Sequence, residues 1–168
     1  MKYAYVAVLA ACLSLPALAQ PGNDGLVGVT RAVISAERSL SARAIEAELE
    51  TRDGRLVYEI DLVRGATLHR VTVDARSGKL LTTEKPRMEN WLRAWTDAER
   101  LRKGGKAAPL GSRLAALEQQ SGGEVKEVEF DLHKGRAVYD IELATAAGIG
   151  EVQIDAQTGQ RLELAYDD

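Results

Sequence analysis

Two short stretches of the chain carry apolar residues at helical spacing: Val29, Val33, Ala36 and Leu40, and later Leu110, Leu114 and Leu117. Residues three or four apart share one face of a helix, so each stretch predicts a short amphipathic helix with a single stripe to bury. Behind each helix the period drops to two. Ile45, Ala47 and Leu49 alternate with Glu46, Glu48 and Glu50, and Val128, Phe130 and Leu132 alternate with Glu127, Glu129 and Asp131. Successive side chains of a strand point to opposite faces, so both runs predict strands with one apolar and one acidic face. A turn at Asp53-Gly54, or Lys134-Gly135, leads to a second strand with Tyr58, Ile60 and Leu62, or Tyr139, Ile141 and Leu143, on one face. The third strand carries Val71 and Val73, or Val152 and Ile154, and runs into Asp-Ala-x-Ser/Thr-Gly. There Asp74 and Asp155 are placed to accept hydrogen bonds from the backbone that follows. Gly78 and Gly159 supply the positive φ of a bulged hairpin. Leu80-Leu81, or Leu162 and Leu164, closes each unit as a fourth strand.

The two units are one pattern written twice. Gly54-Arg55-Leu56-Val57-Tyr58-Glu59-Ile60-Asp61-Leu62 returns as Gly135-Arg136-Ala137-Val138-Tyr139-Asp140-Ile141-Glu142-Leu143, an offset of 81 residues. At the same offset Val71 to Gly78 falls on Val152 to Gly159, and the helical apolar positions coincide without an insertion. Such self-similarity marks a duplication. The predicted fold is therefore α+β: two tandem modules, each an N-terminal helix packed on a four-stranded antiparallel sheet. Module 1 is expected over residues 28–84 and module 2 over 107–166. Residues 85–106 are expected to be a linker helix that opens near Pro86, carries Met88, Trp91, Trp95, Ala98 and Leu101 on one side, and ends at Gly104-Gly105. Trp91 and Trp95, the two tryptophans of the chain, are expected to be buried against a sheet, setting the angle between modules. Their second reading is a partner-binding face.

The chain start changes the picture of where the protein acts. Lys2, the apolar run Ala4–Leu15, Pro16 and then Ala17-Leu18-Ala19 before Gln20 have the order of a signal peptide cleaved after Ala19. Residues 1–19 are expected to be removed, leaving a soluble periplasmic or secreted protein with no membrane span in the mature chain. Leu9-Ala10-Ala11-Cys12 has the order of a lipobox, and a lipoprotein is the less favoured reading. With Cys12 removed the mature chain has no cysteine, and thiol chemistry leaves with it. The formal charge of −3 becomes −4 once Lys2 is lost, and the charges are interspersed, which speaks against nucleic acid as a partner.

Catalytic chemistry finds little footing. His69 and His133 fall at unrelated repeat positions, matching Gly150 and Arg52, and are read as solvated or edge residues rather than metal ligands. Tyr58 and Tyr139 read as core aromatics whose hydroxyls reach the rim. The expectation is no catalytic residue, no cofactor and no dedicated metal ligand. A hydrolase would require carboxylates from both modules converging on a cleft. The rows Glu46, Glu48, Glu50 and Glu127, Glu129, Asp131 read first as the wet face of a half-exposed sheet. Their sharper reading is a site for a cation or a basic partner.

The helix, the acidic-apolar strand, G-x-x-V-Y-E-I-x-L at Gly54–Leu62 and Gly135–Leu143, and the turn Val71–Leu80 and Val152–Arg161 together resemble the PepSY domain, twice. The second copy departs from that pattern at Arg161, where an apolar residue is usual. PepSY-like domains occur in propeptides of thermolysin-like metallopeptidases and in exported bacterial proteins. The resemblance thus implies a non-catalytic module that binds an envelope protein, such as a peptidase or a sensor, in trans. The alternative is a periplasmic cation-binding protein acting through the acidic strand faces.

Overall fold

The two apolar stripes become helices, and each ends in the same way. In the computed structural model, which describes residues 25–65, 67–85 and 108–162, α1 spans Val29–Leu40 and α2 spans Leu110–Ser121. Helix α1 stops at Ser41 and α2 at Gly122, both left-handed, where the backbone N–H bonds back to the carbonyl of Glu37 or Glu118. The strands are β1 (Arg43–Arg52), β2 (Arg55–Arg64), β3 (Thr67–Asp74), β4 (Leu80–Glu84), β5 (Glu124–His133), β6 (Arg136–Thr145), β7 (Gly148–Asp155) and β8 (Arg161–Leu162). The class is α+β, with each helix followed by its own antiparallel strands.

The two modules share one sheet. Their strands form one eight-stranded antiparallel sheet in the order β4-β3-β2-β1-β5-β6-β7-β8. At the seam Ala47 of β1 pairs with Val128 of β5, its own equivalent 81 residues on, and Glu46 pairs with Glu129. Antiparallel pairing of equivalent residues relates the two repeats by an approximate two-fold axis through that pair. Both first strands carry a bulge at the same repeat position, between Ala44 and Glu46 and between Val125 and Glu127. A one-residue insertion shifts the two-residue alternation. Ala44 and Ile45 both enter the core as a result, and the acidic series from Glu46 onward stays on the opposite face.

The two helices lie on one side of the sheet and share a single core with it. Val33, Ala36, Ala47, Ile60, Val71 and Val73 from the first repeat join Leu114, Val128, Tyr139, Ile141 and Ile154 from the second. The helices also touch one another. A Cβ built on Gly111 of α2 would stand 2.5 Å from Ile34 Cγ1 and 3.2 Å from the Ile34 Cα of α1, so only a glycine admits this approach. The second repeat is the less regular. Where Leu49 remains 41 % exposed, its equivalent Phe130 is 4 % exposed and meets Tyr139 edge to face at 5.6 Å. Ile149 on β7 is 69 % exposed, and β8 is described over Arg161–Leu162. Residues 1–19 and residues 86–106 of the expected linker helix, Trp91 and Trp95 among them, lie outside the described residues.

Candidate functional site

Two side chains tie the repeats together across the seam. Glu37, buried on α1, accepts hydrogen bonds at Oε1 from Ala44 N–H (3.1 Å) and Leu110 N–H (3.0 Å), and at Oε2 from Gly111 N–H (3.1 Å). It closes its own module onto β1 and at the same time satisfies the first N–H groups of α2, which have no acceptor within the helix. Burial holds its carboxyl above the ordinary range, and the three backbone N–H groups act against that shift. The equivalent Glu118 accepts from Val125 N–H at 2.9 Å, the counterpart of the bond to Ala44. Tyr139 supplies the second tie: its hydroxyl donates to the Ala44 carbonyl at 3.1 Å. The expectation that the tyrosine hydroxyls reach the rim therefore fails for Tyr139, which is enclosed because the first repeat covers the end of its ring. Burial also pushes the Tyr139 phenol well up. Tyr58, equally buried, bonds toward the Gly28 backbone.

Each third strand ends in a carboxylate-built turn. Asp74 Oδ1 accepts from Ser77 N–H and Ser77 Oγ, both at 2.7 Å, and these bonds hold its carboxyl below the usual range. Asp155 Oδ1 accepts from Gln157 N–H (2.9 Å), Thr158 N–H (2.7 Å) and Thr158 Oγ1 (3.0 Å). Gly78 and Gly159 follow at φ 69° and 75°. These are local scaffolds. Arg113 of α2 secures the second by donating to the Asp155, Ala156 and Gln157 carbonyls at 2.8–3.1 Å.

The sheet face turned away from the helices is where the ionisable groups gather. Glu46, Glu48 and Glu50 of β1 stand across from Asp61, Glu59 and Val57 of β2, and Glu127, Glu129 and Asp131 of β5 stand across from Glu142, Asp140 and Val138 of β6. Pairing of β1 with β5 brings both acidic rows together at the seam. Glu48 shows the consequence: burial first, then the charges of Glu50 and Glu127, raise its carboxyl above the ordinary range.

The two halves of this face are balanced differently. In the first repeat Arg70 holds Asp61 in a bidentate pair (Nε–Oδ1 2.7 Å, Nη2–Oδ2 2.8 Å) and reaches Glu59 at 2.6 Å. Arg52 bridges Glu50 (3.0 Å) and Glu59. Glu59 and Asp61 are buried in this network. At the matching positions of the second repeat, His133 replaces Arg52 and Glu151 replaces Arg70. Glu127, Glu129 and Asp131 are exposed there, and Glu142 faces Glu151 across β6–β7. Arg52 and Arg70 were not singled out from the sequence; the offset of 81 residues carried the signal, since it sets arginine against glutamate at 70 and 151.

The histidines part company. His133 is half-exposed, with Nε2 3.2 Å from Asp131 Oδ2 and 3.4 Å from Asp140 Oδ2. His69 is not solvated, contrary to expectation: it is 6 % exposed, paired across β2–β3 with fully buried Leu62. Burial, then Arg64 and Lys85, pull its imidazole below the ordinary range. A separate cleft of about 490 Å³ opens between Gly28, Thr30 and Arg31 of the first repeat and Glu118, Gly123 and Glu124 of the second. Its carboxylates come from one module alone.

These features define a duplicated α+β protein in which each repeat lays one helix on four antiparallel strands and the repeats fuse into a single sheet. The chain belongs to the PepSY family: the family model described as "Peptidase propeptide and YPEB domain" matches residues 32–84 and again 114–163. No curated protein matches the chain. Among solved structures it is similar to a crystal structure described as a "putative lipoprotein" from Clostridium difficile 630, with 19% identity and a TM-score of 0.39, covering 77% of this chain and 86% of that one. No helix among the described residues is long and apolar enough to cross a membrane.

Proposed function

We propose that the chain is an exported, non-catalytic binding module that regulates an envelope peptidase or sensor protein in trans, docking a basic segment of that partner on the acidic face of its sheet. The observation that carries this reading is the one-sided charge of the fused sheet. Carboxylates from both repeats meet at β1 and β5, and His133 and Glu151 stand in the second repeat where Arg52 and Arg70 pair with carboxylates in the first. Charge complementarity of this kind selects partners and speeds encounter more than it deepens affinity. Membership of a family named for peptidase propeptides supports a peptidase as the target. No catalytic family is indicated, which fits a binding role. Trp91 and Trp95 are proposed as apolar anchors of the same interface. Export rests on the signal-peptide pattern of residues 1–19, with cleavage after Ala19.

The test is photocrosslinking in the cell envelope from a probe placed at Glu127. Wild type is expected to capture one peptidase or sensor whose activity changes when purified chain is added. Charge reversal at Glu129→Lys/Asp131→Lys, and separately Trp91→Ala/Trp95→Ala, should lose that capture while circular dichroism stays unchanged. Capture that ignores both changes, or a captured protein whose activity the chain leaves untouched, defeats the reading.

A further inference from the structure

The two repeats hold the same pair of carboxylates and treat them in opposite ways. Glu50 and Glu59 of the first repeat correspond to Asp131 and Asp140 of the second, 81 residues on. In the first, Arg52 lies between both carboxylates and Arg70 adds a second positive group. In the second, the side chain between them is the imidazole of His133, and Arg70 gives way to Glu151. We propose that Asp131, His133 and Asp140 form a binding site for a divalent transition-metal ion of the zinc type on the exposed face of the second repeat.

The chemistry turns on a nitrogen lone pair. A guanidinium carries five N–H donors and no lone pair for a metal, so the first repeat is closed by its own arginine. The neutral imidazole offers one ring nitrogen as a ligand. Here His133 Nε2 lies 3.2 Å from Asp131 Oδ2 and 3.4 Å from Asp140 Oδ2, and one ligand atom from each residue falls within 4.8 Å of the others. A tetrahedral ion with bonds of about 2.0–2.2 Å holds its ligand atoms roughly 3.3–3.6 Å apart. Small side-chain adjustments therefore suffice, on strands whose backbone is fixed by β5–β6 pairing.

The surroundings favour a cation as well. The Asp61–Arg70 pair of the first repeat becomes Glu142 opposite Glu151 in the second, adding negative charge beside the site. Gln153 sits with its amide nitrogen 3.4 Å from both ring nitrogens of His133. The oxygen and nitrogen of an amide are exchanged by a half-turn, which would present Oε1 to an ion or to its bound water. One imidazole with two carboxylates suits zinc and its neighbours. Calcium, by contrast, takes six to eight oxygen ligands. The same short distances also describe direct contacts of His133 with the two aspartates and no metal, and the experiment separates the two.

Chain prepared without a polyhistidine tag is titrated with zinc chloride in a calorimeter, in a buffer that does not chelate. One equivalent of zinc is expected to bind. His133→Arg, which installs the first repeat's residue, should weaken binding on the order of 10-fold or more while leaving the metal-free unfolding temperature unchanged. Asp140→Asn should weaken it comparably, and calcium at equal concentration should not compete. Zinc binding unaltered in both variants, displacement of zinc by calcium at equal concentration, or no binding up to millimolar zinc overturns the proposal. The last outcome leaves the His133–aspartate contacts as side-chain contacts only.

Discussion

Glu37 is the residue whose role the chain hides best. Its neighbours Ala36 and Arg38 read as an ordinary helix edge, yet its carboxylate ends up between Ala44, Leu110 and Gly111, the last two more than seventy residues away. Nothing within one turn of a helix marks such a contact. The repeat does give a hint, because Glu37 aligns with Glu118 and both accept from the first residues of the following strand. Glu37→Ala removes the acceptor of three N–H groups and is expected to destabilise by roughly 1–3 kcal/mol for each donor left unsatisfied in the interior. Glu118→Ala, which removes one such bond, should cost less. Chemical denaturation of both variants checks the order; equal losses would show that Glu37 does not join the modules. The Asp74 and Asp155 turns lie at the other extreme. They were readable because acceptor and donors sit within three residues of each other.

At the scale of elements, both helices and the strand series could be read from periodicity, since a stripe at 3.6 or an alternation at 2 is a local property of the chain. The bulges could not. An extra residue between Ala44 and Glu46 changes which side chains face the core, and only the partner strand reveals the count. The crossing of α1 and α2 is equally non-local. Gly111 reads as a weak helix position, and its meaning comes from Ile34 on the other helix. Alanine is the better helix former by about 1 kcal/mol. Even so, Gly111→Ala is expected to destabilise by about 1–3 kcal/mol, because the new methyl group falls on Ile34 in a packed interface. A thermal melt decides between them: a raised unfolding temperature would mean that propensity wins and the helices can separate without loss.

For the whole molecule the decisive fact is that β1 meets β5. This places two acidic strand faces side by side; burial first, then the charge of Glu50 and, across the seam, that of Glu127 raise the Glu48 carboxyl. A group whose folded value is raised contributes stability below its ordinary value, near 4.5, and loses that contribution as pH rises through the folded value. Glu48→Gln removes this dependence. The variant is expected to match or trail wild type near pH 4 and to gain on it as pH rises, by about 0.2–1 kcal/mol at neutral pH, the scale of a like-charge cross-strand pair. Added salt should shrink the gap at neutral pH by screening. Denaturation midpoints across pH 4–7 at two salt concentrations test it, and a gap that narrows with rising pH would refute the charge argument.

By itself the sequence determined the repeat, the elements of each module, the turn chemistry and membership of the fold class, because each of these depends on residues close together in the chain or on comparing one half with the other. Only the tertiary structure decided how the halves meet: one fused sheet with a common core, Glu37 and Tyr139 closing the seam, and Arg52 and Arg70 paired with carboxylates on one half of an acidic face where the other half carries His133 and Glu151. The physical reason is that strand pairing and ion pairing across a seam depend on edges brought together by the burial of shared apolar surface, and no local spacing encodes which edge a strand will find.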